Sequence, residues 1–161
     1  MYYVGAAQNK RQEPTVHRIL KLLDKNLLYV NHEIQGDTIF LVAESKRKRA
    51  RCPYCGHFSS SIHSNYERSF QDLPISDKKV VVMLKNRRFF CQNPYCIRTT
   101  FAECFDFIVS KAKKTNRLEK EIVSLALNCS SIAASVQLKR NIVNVGKSTI
   151  CNLLKKRGAK H

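Results

Sequence analysis

Apolar positions along this chain fall into distinct rhythms, and each predicts its own kind of element. Val16, Ile19, Leu20, Leu22 and Leu23 recur at helical spacing behind Thr15, a residue suited to an N-cap. A short amphipathic helix is therefore expected to reach Leu23 or Asp24. Asn26 to Asn31 and Thr38 to Ala43 read as two strands, with Gln35-Gly36-Asp37 turning between them. Residues 1–14 are polar and irregular up to Pro14 and predict a frayed lead-in.

The middle of the chain reads as strand. Arg51 to Phe58 is a cysteine-bearing turn, and Ser60 to Phe70 alternates loosely, with Ile62, Tyr66 and Phe70 as inward positions. Asp72-Leu73-Pro74 is expected to break it. Lys79 to Phe90 carries Val80, Val81, Val82, Leu84, Phe89 and Phe90 and predicts the best strand. After it the period changes. Thr115 to Asn128, Ser130 to Arg140 and Lys147 to Arg157 each carry an apolar helical stripe, separated by polar or glycine-containing breaks.

A length of 161 residues suits one compact domain or two small modules. A hydrophobic fraction of 43% excludes a disordered basic tail. No run of 18 apolar residues and no ordinary secretory signal is present, which argues against a spanning or secreted protein. Charge changes the picture more. Lys and Arg number 29 against 12 Asp and Glu, a formal net charge of +17. Residues 1–45 are balanced, five basic against five acidic, whereas 46–110 hold 12 against five and 111–161 hold 12 against two. The excess begins at Lys46-Arg47-Lys48-Arg49, with Arg51 just beyond, and points to a polyanionic partner.

The cysteines supply the chemistry. Cys52-Pro53-Tyr54-Cys55-Gly56 and Cys91-Gln92-Asn93-Pro94-Tyr95-Cys96 form two close pairs separated by 35 residues of strand-rich sequence. Each pair on its own tight turn can point two thiolates at one tetrahedral Zn2+. Neighbouring Arg and Lys favour thiolate over thiol. Such a site is coordinatively closed, so it folds a module and does not catalyse. Cys104, eight residues beyond Cys96, is a substitute ligand or a buried free thiol; His57 and His63 are turn or surface residues, and Cys129 and Cys151 small core residues. A disulfide framework fits an odd count of seven cysteines poorly. A redox Cys-x-x-Cys is expected to open a helix within a βαβ unit, yet Gly56 follows Cys55 here. A zinc deaminase needs His-x-Glu, and no histidine has Glu two residues on.

Ser130 to Arg140 followed by Lys147 to Arg157 has the form of a helix-turn-helix. Ile132, Ala133, Val136 and Leu138 would pack on Ile150, Leu153 and Leu154, with Val143 and Val145 filling the turn and Thr115 to Asn128 as the supporting helix. Lys147, Ser148, Thr149 and Asn152 would then meet base edges, and Lys155, Lys156 and Arg157 phosphate. The connection Asn141 to Gly146 is longer than the usual turn, and generic helical packing accounts for the stripes almost as well.

Several pieces in one order resemble a known family. Lys48 to Gly56, Tyr66 to Ile75 with Arg68 and Asp72-Leu73-Pro74, Arg87-Arg88-Phe89-Phe90-Cys91 through Cys96 and Arg98, and Phe101-Ala102-Glu103 are similar to the N-terminal zinc-binding domain of ISL-three group insertion-sequence transposases. Val145 to Leu154 loosely resembles that family's next element, a helix-turn-helix, with Gly146 where Ser is common. The resemblance covers roughly residues 18 to 157. Full members continue into a DDE nuclease domain, whereas only Glu119 and Glu121 are acidic after residue 106. The resemblance therefore implies the DNA-binding half of a transposase, truncated and without catalysis.

The combined expectation is an α+β protein: a preface over 1–45, a zinc ribbon-like β module over 46–110 held by Cys52, Cys55, Cys91 and Cys96, and a helix-turn-helix tail over 111–161. It should bind double-stranded DNA, the inverted repeats of its element, with Lys46 to Arg49, Arg51, Arg87 and Arg88 on phosphate. A second copy or a full-length transposase is the expected protein partner. The expected location is the nucleoid in a prokaryotic cytoplasm. A membrane surface would call for a separate basic amphipathic helix. The rival readings are a zinc ribbon binding RNA or protein in transcription or translation, for which no RNA-recognition aromatic motif is present, and a thiol redox protein.

Overall fold

The computed structural model describes residues 15–158; the expectations for residues 1–14, and for the side chains of Thr15 and Arg157, lie outside the described residues. In chain order the elements are α1 (Thr15–Lys21), β1 (Leu27–Gln35), β2 (Thr38–Ser45), β3 (Ala50–Arg51), β4 (Phe58–Ser59), β5 (Ile62–Ile75), β6 (Lys78–Phe90), β7 (Thr100–Ala102), α2 (Asn116–Asn128), α3 (Ser131–Asn141) and α4 (Lys147–Gly158). The class is α+β.

The valine-rich stretch forms the central strand. β6 pairs antiparallel with β5 along its length. On its other side it pairs first with β2, in parallel, and then with β7. β1 completes the sheet order β1-β2-β6-β5, so strands of the first 45 residues share a sheet with those of the cysteine-bearing segment. Val80, Val82 and Leu84 alternate onto one face, where Leu41, Ala43 and Phe70 join them beneath Leu20, Leu27, Phe105, Phe107 and Ile108. Two-residue turns join β1 to β2 and β5 to β6. Gly36 takes φ +58°, and Ser76 and Asp77 take φ 48° and 61°, the twist that a tight β-hairpin requires.

Two strand expectations need correction. Asp72-Leu73-Pro74 does not end β5, which runs on to Ile75. An irregularity between Asp72 and Ile75 absorbs the segment, and β5 is an edge strand, where a proline's missing N–H costs no ladder bond. Of the three inward candidates only Phe70 is buried; Ile62 and Tyr66 are exposed. The register slips between Ile62 and Ser64. Tyr66 faces an open cleft lined by Asn86, Arg88, Cys104 and Lys111.

The helices pack around a second core of Leu118, Ile122, Ala126, Ala134, Leu138, Val143, Val145 and Ile150. The Thr115 side chain accepts from Leu118 N–H to cap α2, and the Ser130 side chain accepts from Ala133 N–H to cap α3. Val143 and Val145 are buried in the α3–α4 connection. The buried face of α3 differs from the expected one: Ala134, Ser135 and Leu138 point inward, whereas Ile132, Ala133 and Val136 are exposed. The Ser135 hydroxyl donates to the Val145 carbonyl at 2.8 Å, a buried bond that ties this face of α3 to the connection after it. A carboxylate ties the helices to the sheet. Buried Asp72 of β5 accepts from Thr115 Oγ1 (2.7 Å) and Arg117 Nε (2.8 Å), and pairs with Arg117 Nη2 as well.

Candidate metal centre and its basic surround

Each cysteine pair is presented by a turn whose backbone bonds fix the sulfur positions. In the first, Cys52 N–H donates to His57 C=O (2.8 Å) and Gly56 N–H returns to Cys52 C=O (2.9 Å). Gly56 takes φ +77°, and a Cβ there would stand 3.2 Å from the Arg51 guanidinium, which donates to the Gly56 carbonyl. The positive φ is what favours glycine here, and a Cβ would also press on the Arg51 side chain. In the second, Cys91 N–H donates to Thr99 C=O (2.7 Å), Cys96 N–H to Asn93 C=O (3.1 Å) and Tyr95 N–H to Asn93 Oδ1 (3.0 Å).

The two turns bring all four sulfurs within 4.8 Å of one another. Cys52 Sγ lies 3.9 Å from Cys96 Sγ, and Cys55 Sγ lies 3.5 Å from Cys91 Sγ. Four sulfurs about 2.3 Å from a tetrahedral zinc would be spaced by about 3.8 Å, so the donors fit that ion. Arg98 N–H donates to Cys96 Sγ at 3.5 Å, the kind of amide support that stabilises a ligand thiolate. Behind the sulfurs, Phe89 and Phe101 stack with centroids 5.8 Å apart and pack with Ala50 and Cys52.

Crowding splits the thiols' acidities. The amide at His57 pulls the Cys55 thiol down to about 6. At Cys91 the amide at Asn93 also favours thiolate, but burial and hydrogen bonds shared with Cys55, Cys96 and Cys52 outweigh it, and the thiol is pushed up to about 12. Cys96 is raised too: the Arg98 amide lowers it, and burial with the bonds to Cys55 and Cys52 raises it further. A cation that replaces the shared protons relieves this competition.

These four cysteines on paired turns at the end of a sheet form the zinc site of a zinc ribbon. Residues 48–96 match the family model for the zinc-finger of transposase IS204/IS1001/IS1096/IS1165. The matched segment, which holds all four ligands, is similar to the zinc ribbon of ISL3-type transposases. No curated protein and no solved structure matches the chain.

The predicted phosphate contacts divide. Lys46, Lys48, Arg49, Arg51 and Arg88 are exposed. Arg87 is engaged within the fold: it pairs with buried Glu103 and donates to the Arg47 carbonyl (2.7 Å). Arg47 is likewise engaged, pairing with Asp24 and donating to Cys104 C=O (2.8 Å). On α4, Lys147, Ser148, Asn152, Lys155 and Lys156 are exposed, with Lys156 Nζ 3.7 Å from Glu119, whereas Thr149 is half-buried. Cys104 lies outside the sulfur cluster and is exposed rather than buried, its thiol donating to Ala102 C=O (3.4 Å). His57 and His63 are also exposed and outside the cluster.

One group of surface residues escaped the sequence reading. Tyr54, Phe58, Phe90, Tyr95 and Ile97 are exposed large side chains around the metal turns. Their signal was the repeated Pro-Tyr-Cys of Pro53-Tyr54-Cys55 and Pro94-Tyr95-Cys96. Neither 46–66 nor 78–102 contains an Asp or Glu, and the arginines beside the metal turns, Arg49, Arg51, Arg88 and Arg98, are exposed. No helix among the described residues is long and apolar enough to cross a membrane.

Proposed function

We propose that this chain is the DNA-end-binding part of an insertion-sequence transposase, recognising double-stranded terminal inverted repeats. The zinc ribbon braces the basic end of the sheet, and Lys46, Lys48, Arg49, Arg51 and Arg88 lie on the phosphate backbone. α3 and α4 act as a helix-turn-helix, with Lys147, Ser148 and Asn152 at base edges and Lys155 and Lys156 on phosphate. Thr149, half-buried, lies beside them on α4. The observation that carries this reading is the four-sulfur site inside a segment of transposase type, with both cysteine pairs in stretches, 46–66 and 78–102, that hold no Asp or Glu.

These residues bind DNA and do not cut it. Asp24, Asp72 and Glu103 each neutralise an arginine within the fold, which fits scaffolding and not the holding of catalytic metal ions. A second copy or a full-length transposase is the protein partner, and the nucleoid of a prokaryotic cytoplasm the place of action. Selection of bound duplexes from a random library by the zinc-loaded protein tests the reading. Sequences of one element end should bind at least about a thousandfold tighter than random duplex. Equal affinity for all duplexes, or tighter binding of structured RNA, would overturn it.

A further inference from the structure

We propose that the two metal turns form a stacking platform for unpaired bases, so that the protein engages a frayed or opened strand beside the duplex it binds. The inference rests on the DNA-binding reading and adds a second class of contact to it. Because Cys55 and Cys96 belong to one sulfur cluster, Tyr54 and Tyr95 stand at the same end of the ribbon, each one residue from a ligand. Tyr95 is 93% exposed, Ile97 84% and Tyr54 54%. The Arg98 guanidinium lies over the Tyr54 ring, 5.7 Å from its centroid, and joins one turn to the other. Nearby, Arg49 covers the Phe58 ring at 4.7 Å.

Rings interleaved with guanidinium groups are suited to flat, electron-rich partners carrying phosphate. Phosphate alone gives no use to an exposed tyrosine ring, and a closed duplex hides its base faces within its own stack. An unpaired base offers the free face, and its phosphate answers the arginines. The absence of Asp and Glu from 46–66 and 78–102 removes repulsion against that strand. The platform is also pre-set, since the backbone bonds at Cys52, Gly56, Cys91 and Cys96 hold both turns.

The test compares a fully paired duplex with the same duplex carrying a short fork, 2-aminopurine being placed at the first unpaired position. Zinc-loaded wild-type protein should bind the fork about tenfold tighter and quench the probe, since stacking is worth about that factor per base. Tyr95→Ala, and more so Tyr54→Ala with Tyr95→Ala, should abolish the preference and leave paired-duplex affinity and zinc content unchanged. Tyr95→Phe should retain it. Equal wild-type binding of fork and duplex, absence of quenching, or a preference that survives the double change would overturn the platform while leaving duplex binding intact. A change in self-association with unaltered fork binding would assign the rings to a protein contact and likewise overturn it. Loss of all duplex binding by the wild type would instead sink the DNA-binding reading.

Discussion

Arg87 and Glu103 form a two-point ion pair inside the protein, Nε to Oε2 at 2.9 Å and Nη2 to Oε1 at 3.1 Å. The Glu103 side chain is fully buried and also accepts from Ser45 Oγ at 2.6 Å, so one carboxylate links β2, β6 and the end of β7. Removing one partner leaves an uncompensated buried charge. Glu103→Ala or Arg87→Ala should therefore lower stability by about 3–5 kcal/mol in denaturant unfolding of the zinc-loaded protein. If Arg87 were mainly a phosphate contact, Arg87→Ala would weaken DNA binding and leave stability unchanged.

Asp72 should behave similarly at the junction of sheet and helices. Thr115→Ala removes both a bond to Asp72 and the α2 cap, and is expected to cost about 1–2 kcal/mol. Asp72→Ala strands Arg117 as well and should cost more, about 3 kcal/mol. Hydrogen exchange at the start of α2 should quicken in both variants.

Zinc binding should release protons. At pH 7 the Cys55 thiol, lowered to about 6, is mostly ionised, whereas Cys91, raised to about 12, keeps its proton until metal displaces it, as does Cys96. Affinity should thus fall as pH falls, and more steeply below about 6, where Cys55 also holds a proton. Calorimetry of zinc binding in buffers of different ionisation enthalpy checks the released protons.

Zinc removal should loosen one end of the protein. Amide protection at Cys52, Gly56 and Cys91 is expected to vanish on chelation, while that at Ile122 in the separate helical core persists. Uniform loss of protection would mean that the metal holds the helices too.

Much of this was legible in the chain. The spacing of Cys52, Cys55, Cys91 and Cys96 is a local signal, because each pair lies within one turn and only one metal geometry suits both. β6 and the existence of the three C-terminal helices were legible from apolar period, although on α3 the period pointed to Ile132 and Val136 where the buried face carries Ala134, Ser135 and Leu138. The parallel pairing of β2 with β6 was not, since nothing local records a contact between Thr38 and Lys79 across the chain. The internal pairing of Arg87 was hidden for a related reason: its neighbour Arg88 is exposed, and only the distant Glu103 distinguishes the two. The platform of Tyr54, Tyr95 and Arg98 exists only once the sulfurs converge.

Zinc-dependent DNA binding is read most directly from the salt dependence of binding to element-end duplex, measured on zinc-loaded and zinc-stripped protein side by side. With about six phosphates neutralised, log affinity for the loaded protein should fall against log salt with a slope near about −5. The stripped protein should bind more weakly and lose its preference for the element end. A flat slope, or equal and equally selective binding with and without zinc, would contradict a zinc-dependent DNA-binding protein.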